Sequence, residues 1–194
     1  MHNGSPFQEN MAELEKRYPA LAEKVRKTSR DESKYKVIGS KAGEPNILLA
    51  RETDFLLLYD RDNPSASCTT YLNGLNIRYA PIVIFLGFGL GYHALLYMKN
   101  YGKSCDTKKI IIFEENIALF RTTLEIIDIT FIISHPDIYL FVAEEPLEAA
   151  MQIRTKNLIL NDFNSYMRSI KVIPLPSNII LPVPNSFCAV DITT

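Results

Sequence analysis

The run Ile82-Val-Ile-Phe-Leu86, followed at once by Gly87-Phe-Gly-Leu-Gly91, constrains this chain more than any other segment. A continuous apolar run suits a parallel strand buried on both faces. The glycines after it permit a tight turn and let a ligand approach the backbone closely. A helix expected from about Tyr92 to Tyr101 presents free N–H groups and the positive end of its dipole at that turn, a setting for phosphate or carboxylate. The stretch Ala80–Met98 has no formal charge and is 19 residues long, enough to imitate a membrane span. Pro81, His93 and the glycines divide it into strand, turn and buried helix, so no span is expected.

Downstream, the pattern alternates. Ile110–Phe113 and Ile138–Val142 read as further buried strands. Ile117, Phe120, Leu124 and Ile127 recur at helical spacing between them. Pro146 opens another helix to about Lys156, and Leu158–Leu160 suits a fourth strand. The expected fold is α/β: a Rossmann-like, mostly parallel sheet with helices on both faces. Upstream, residues 8–27 read as two short helices, with Pro19 opening the second. Tyr35–Ile38, Ile47–Ala50 and Phe55–Tyr59 form a small antiparallel meander. Asn63-Pro64 caps a helix reaching towards Leu75. The expected divisions are 1–34, an N-terminal helical segment; 35–80, meander plus helix; 81–170, the Rossmann-like core; and 171–194, a proline-rich tail.

Composition bounds the function. With 47% hydrophobic residues, 22% charged and a net charge of −1, the chain has material for a core and lacks the basic footprint of a nucleic-acid binder. Cys68, Cys105 and Cys188 are odd in number and show no CxxC spacing. That argues against a disulfide framework or a metal site and fits a reducing cytoplasm. Met1–Asn10 has no signal-peptide pattern.

The candidate ligand-binding residues are Gly87, Gly89, Gly91, Tyr92 and Glu114. Tyr92 stands where GxGxxG requires its third glycine, so the GxGxG spacing is nearer that of S-adenosylmethionine-dependent methyltransferases. Glu114 ends the second strand 23 residues beyond Gly91, where dinucleotide folds place an acid on ribose hydroxyls. A tight turn without ligand, and a helix-start carboxylate, are the plain readings of the same residues. Glu144 and Glu145 before Pro146 suit a helix N-terminus, and His93 suits a packed residue one turn into its helix. No HExxH, GxSxG or Walker lysine motif occurs, and no catalytic residue is assigned.

The order of pieces resembles the N-terminal domain of the Maf (motility accessory factor) flagellin glycosyltransferases. The resembling phrases are Asn10-Met-Ala-Glu-Leu-Glu-Lys-Arg-Tyr-Pro-Ala-Leu21, Ser40-Lys-Ala-Gly-Glu-Pro-Asn-Ile47, Leu58-Tyr-Asp-Arg-Asp-Asn-Pro64, Phe85-Leu-Gly-Phe-Gly-Leu-Gly-Tyr-His93 and Ile112-Phe-Glu-Glu-Asn116. Together they span most of residues 10–145. The resemblance implies a bacterial, cytoplasmic protein in which a separate domain transfers a nonulosonic acid from a CMP-sugar to flagellin. The chain ends before such a domain, so no transfer is expected from it alone.

Three readings stand at this point. In the first, the chain is a non-catalytic module that holds a nucleotide or nucleotide-sugar beside a glycosyltransferase domain or the flagellin-modification machinery, alone or as a homo-oligomer. In the second it is a methyltransferase-like or aminopropyltransferase-like enzyme using S-adenosylmethionine, against which stands Phe85 in place of the expected acid. In the third it is a degenerate scaffold with an empty turn. On the ligand readings, Gly89→Val should block the site while sparing most of the core.

Overall fold

A computed structural model describes residues 4–155 and 170–175. The N-terminal helices are α1 (Pro6–Arg17) and α2 (Pro19–Lys27). Ser5 and Gln8 form a reciprocal capping box at the start of α1, and a proline opens each helix. The strands β1 (Tyr35–Gly39), β2 (Pro45–Ala50) and β3 (Phe55–Leu57) pair antiparallel in that order. The register sets Tyr35 against Leu49 and Val37 against Ile47. Tyr35, Ile47 and Leu49 are buried. Helix α3 (Pro64–Gly74) starts where the Asn63 side chain accepts the Ala66 N–H.

The central sheet is parallel, in the order β6-β5-β4-β7. Its strands are β4 (Ile82–Leu86), β5 (Lys109–Glu114), β6 (Ile138–Val142) and β7 (Ile170–Pro174). Between them run α4 (Tyr92–Asn100), α5 (Ile117–Ile126), α6 (Thr130–Ser134) and α7 (Pro146–Thr155). The pleat sends alternate side chains to opposite faces. Val83, Phe85, Ile110, Ile112, Leu140 and Ile173 join the main core with α1, α2, α4, α5 and α6. Ile111 and Phe141 face the other way and pack with Ala149 of α7. The fold is thus Rossmann-like α/β, with helices on both faces and the antiparallel meander expected before the sheet. Among the described residues no helix is long and apolar enough to cross a membrane.

Two features differ from the sequence reading. Leu158–Leu160, expected as a fourth strand, lies outside the described residues. On the side of β4 opposite β5 lies β7, pairing Ile82 with Ile170 and Phe85 with Ile173, a strand the sequence reading did not expect. Helix α6 was also unforeseen, because five residues are too few to display a period.

α1 is held down by a polar anchor. Asn10, fully buried, donates through Nδ2 to the carbonyls of Leu124 (2.9 Å) and Ile127 (2.7 Å) and accepts the Ile129 N–H (2.9 Å) at Oδ1. Asn10→Ala leaves these backbone groups without that partner, at an expected cost of roughly 2–3 kcal/mol. Urea unfolding reads this as a lower midpoint, and an unchanged midpoint would mean that the anchor contributes nothing.

Candidate functional site

The glycine turn joins the carboxyl end of β4 to α4. Gly87, Gly89 and Gly91 all have left-handed backbones, with φ of 82°, 53° and 78°. Space is tight as well: a Cβ on Gly91 would stand 2.6 Å from the Phe88 ring, and one on Gly89 2.6 Å from the Tyr59 hydroxyl. Phe88 and Leu90, between the glycines, are fully buried, and the Phe88 ring packs against Phe120 of α5. The turn is therefore built into the core on its inner side.

Glu114 lies where β5 ends, beside the turn. Its Oε2 accepts the N–H groups of Phe88 (2.9 Å) and Gly89 (3.0 Å), and its Oε1 accepts that of Asn116 (2.9 Å). The residue is only 6% exposed. Burial raises its pKa above the usual carboxylate value, opposed by the three backbone N–H groups. The Thr123 hydroxyl of α5 donates to the Gly89 carbonyl at 2.6 Å.

The meander closes the turn from the other side. Tyr59 follows β3, and its hydroxyl accepts the Leu90 N–H at 2.9 Å and donates to the Phe88 carbonyl at 3.4 Å. Burial lifts its pKa well above the ordinary phenol value, so it keeps its proton. Besides Tyr59, the space over Gly89 is bounded by Leu58 and Leu175, each 3.1 Å from where a Cβ would be. Tyr92, the first residue of α4, donates its hydroxyl to the Pro45 carbonyl at 2.9 Å and meets the Tyr59 ring edge-on.

The five candidate residues therefore come together at the carboxyl end of the sheet. The Glu114 carboxylate and the Tyr92 hydroxyl are engaged with the chain's own backbone. Of the remaining candidates, His93 is fully buried. Its Nε2 lies 3.1 Å from the Gly87 carbonyl, its ring is edge-on to Phe85, and burial lowers its pKa to about 4. Glu144 pairs with Lys24 at 3.1 Å. Cys68 and Cys105 are buried free thiols, and Cys188 lies outside the described residues. Tyr59, Thr123 and Leu175 were missed. Nothing in the local sequence places a tyrosine from the end of a meander over a turn thirty residues later.

No family model matches the chain, and no curated protein matches it in sequence. Solved structures do match. A Maf glycosyltransferase from Magnetospirillum magneticum AMB-1 is similar with a TM-score of 0.50 and 14% identity, covering 77% of this chain and 29% of that one. MnmC2 from Aquifex aeolicus matches with a TM-score of 0.39 and 12% identity, covering 71% of this chain and 52% of that one. At such identities only the first likeness carries weight, and it shows a shared fold. The chain spans less than a third of the length of the Maf structure.

Proposed function

We propose that the chain is a non-catalytic Rossmann-like module of a Maf-type flagellin-glycosylation protein, and that its glycine turn is closed by its own side chains instead of holding a nucleotide. The observation that carries this is the double engagement of the turn. Glu114 takes the Phe88 and Gly89 N–H groups, and Tyr59 takes that of Leu90. These amides are the donors that a phosphate or carboxylate ligand would need. The Maf context rests on the shared fold and on the order of sequence phrases. In that context, transfer from a CMP-sugar belongs to a separate domain. The S-adenosylmethionine reading is weaker because Phe85, two residues before Gly87, is fully buried against His93 and Tyr97.

Thermal unfolding in the presence of CMP, a CMP-sugar, S-adenosylmethionine, S-adenosylhomocysteine and NAD tests the closed turn. A ligand at 100 times its dissociation constant adds about 2.7 kcal/mol of stability. The closed turn gives no shift with any of the five. A saturable shift of the parent with any of the five would overturn it and favour a nucleotide site at Gly87, Gly89, Gly91, Tyr92 and Glu114.

A further inference from the structure

A groove runs along α4, away from the glycine turn. Its wider part, about 470 Å³, lies over Leu95, Leu96 and Met98, between Ser65 of α3 and Phe131 of α6. A narrower part, about 210 Å³, continues past Met98 and Phe131 to Lys103, Lys108 and His135. The two share Met98 and Phe131 and so adjoin each other along α4. Phe131 is 58% exposed, with one edge-on contact to the His135 ring, so most of its ring faces solvent over the groove.

The charge on this depression is one-sided. Lys99, Lys103 and Lys108 line it against one acid, Asp137. Lys108 is paired with Asp106; Lys99 and Lys103 make no ion pair among the described residues. At the far end Glu44 is already engaged, accepting from the backbone and hydroxyl of Ser65. An apolar floor with a cationic rim matches a ligand that is apolar on one side and acidic on the flanks. α4 has nine residues, which at 1.5 Å rise each makes the floor about 13 Å long, or some two and a half helical turns.

We infer that the groove along α4 is a docking site for an acidic amphipathic helix of a partner protein, with its apolar face on Leu95, Met98 and Phe131 and its carboxylates at Lys99 and Lys103. The mode is helix-in-groove recognition, in which a few apolar anchors at helical spacing enter a preformed depression. The rim charges set orientation and partner choice. Concavity favours a helix over a lipid surface, which would demand a convex or flat apolar patch.

Two synthetic peptides test this. One has leucine at alternating third and fourth positions with glutamate between; the other has lysine for each glutamate. Fluorescence anisotropy should show saturable binding of the acidic peptide to the intact chain, and binding of the lysine peptide weaker by at least about tenfold. The double variant Lys99→Glu/Lys103→Glu should reverse that preference. Phe131→Ala should weaken the acidic peptide without changing its advantage over the lysine one. Both changes are at exposed positions, so unaltered melting temperatures are expected and are checked alongside. The inference is overturned if the parent binds both peptides equally or neither, or if the charge reversal leaves the preference as it was. It is likewise overturned if phosphatidylserine vesicles bind and the acidic peptide does not compete, or if Phe131→Asp abolishes self-association seen by analytical ultracentrifugation. None of these readings depends on whether a nucleotide binds the glycine turn.

Discussion

Gly89→Val is expected to destabilise the chain by roughly 3–5 kcal/mol, combining a β-branched residue forced to positive φ with overpacking. The new Cβ would stand 2.6 Å from the Tyr59 hydroxyl and 3.1 Å from both Leu58 and Leu175. Tyr59 is 4% exposed and has its hydroxyl bound to the turn, so it cannot retreat cheaply. The substitution therefore does not act as the selective block that the bare glycine pattern suggests. It pushes the meander off the parallel sheet. Since domains of this size are stable by only about 5–15 kcal/mol, the variant should unfold at a much lower denaturant concentration. A loss below about 1 kcal/mol would show that Tyr59 is not seated as described.

The second large effect is expected from Glu114→Ala. Three backbone N–H groups, those of Phe88, Gly89 and Asn116, lose their acceptor. Each buried donor left unpaired costs about 1–3 kcal/mol, so a total of roughly 3–5 kcal/mol is expected after relaxation. Glu114→Gln should cost less, since the amide oxygen can still accept from Phe88 and Gly89 while its NH2 group opposes only Asn116.

The same residue shapes the pH profile. Burial raises the Glu114 pKa above its unfolded value of 4.5, so above that pH the folded chain keeps a proton that the unfolded chain has lost. Its contribution to stability is complete below 4.5 and is lost as pH rises through the folded pKa. His93 has the opposite sign. Its folded pKa is about 4 against 6.5 unfolded, so its contribution is present above 6.5 and is lost as pH falls towards 4. In the parent these slopes oppose each other above pH 4.5. In Glu114→Ala the His93 slope, about 1.4 kcal/mol per pH unit at most, stands alone. Melting temperatures from pH 4.5 to 6.5 should therefore fall more steeply on acidification in the variant than in the parent. Parallel profiles would remove Glu114 as a titrating group in that range.

The parts of the fold that could be read in the sequence are those whose signal is local. Ile82–Leu86 could hardly be anything but a buried strand, because five apolar residues end at glycines that must turn. Pro19, Asn63-Pro64 and Pro146 each mark a helix start through a fixed φ or a side-chain cap. The unread parts depend on distant contacts. Ile170–Pro174 ends in proline within a proline-rich stretch. It becomes a strand because β4 offers it a partner and because its proline falls at the last paired position, opposite Leu86. The site shows the same division. Gly87, Gly89, Gly91, Tyr92 and Glu114 were identifiable and do converge. What engages them was not: Tyr59 and Leu175 arrive from elements whose own sequences say nothing of the turn. Asn10 is similar, since a polar residue on an amphipathic helix reads as exposed until Ile129 is seen beside it.

The Asn10 anchor also places the first helix last in a schedule. Its partners Leu124, Ile127 and Ile129 are 114–119 positions further along the chain, and Arg17 likewise waits for the carbonyls of Ile133 and Ile138. Within this chain α1 is made before those partners, and α2 is the neighbour that follows soon enough to pack on it early. At roughly 5–20 residues per second, Met11 and Leu14 wait roughly 5–20 seconds for their partners in α5 and α6, while about a hundred further residues are synthesised. During that interval chaperones and neighbouring nascent chains compete for the part of that surface which α5 and α6 cover in the finished protein.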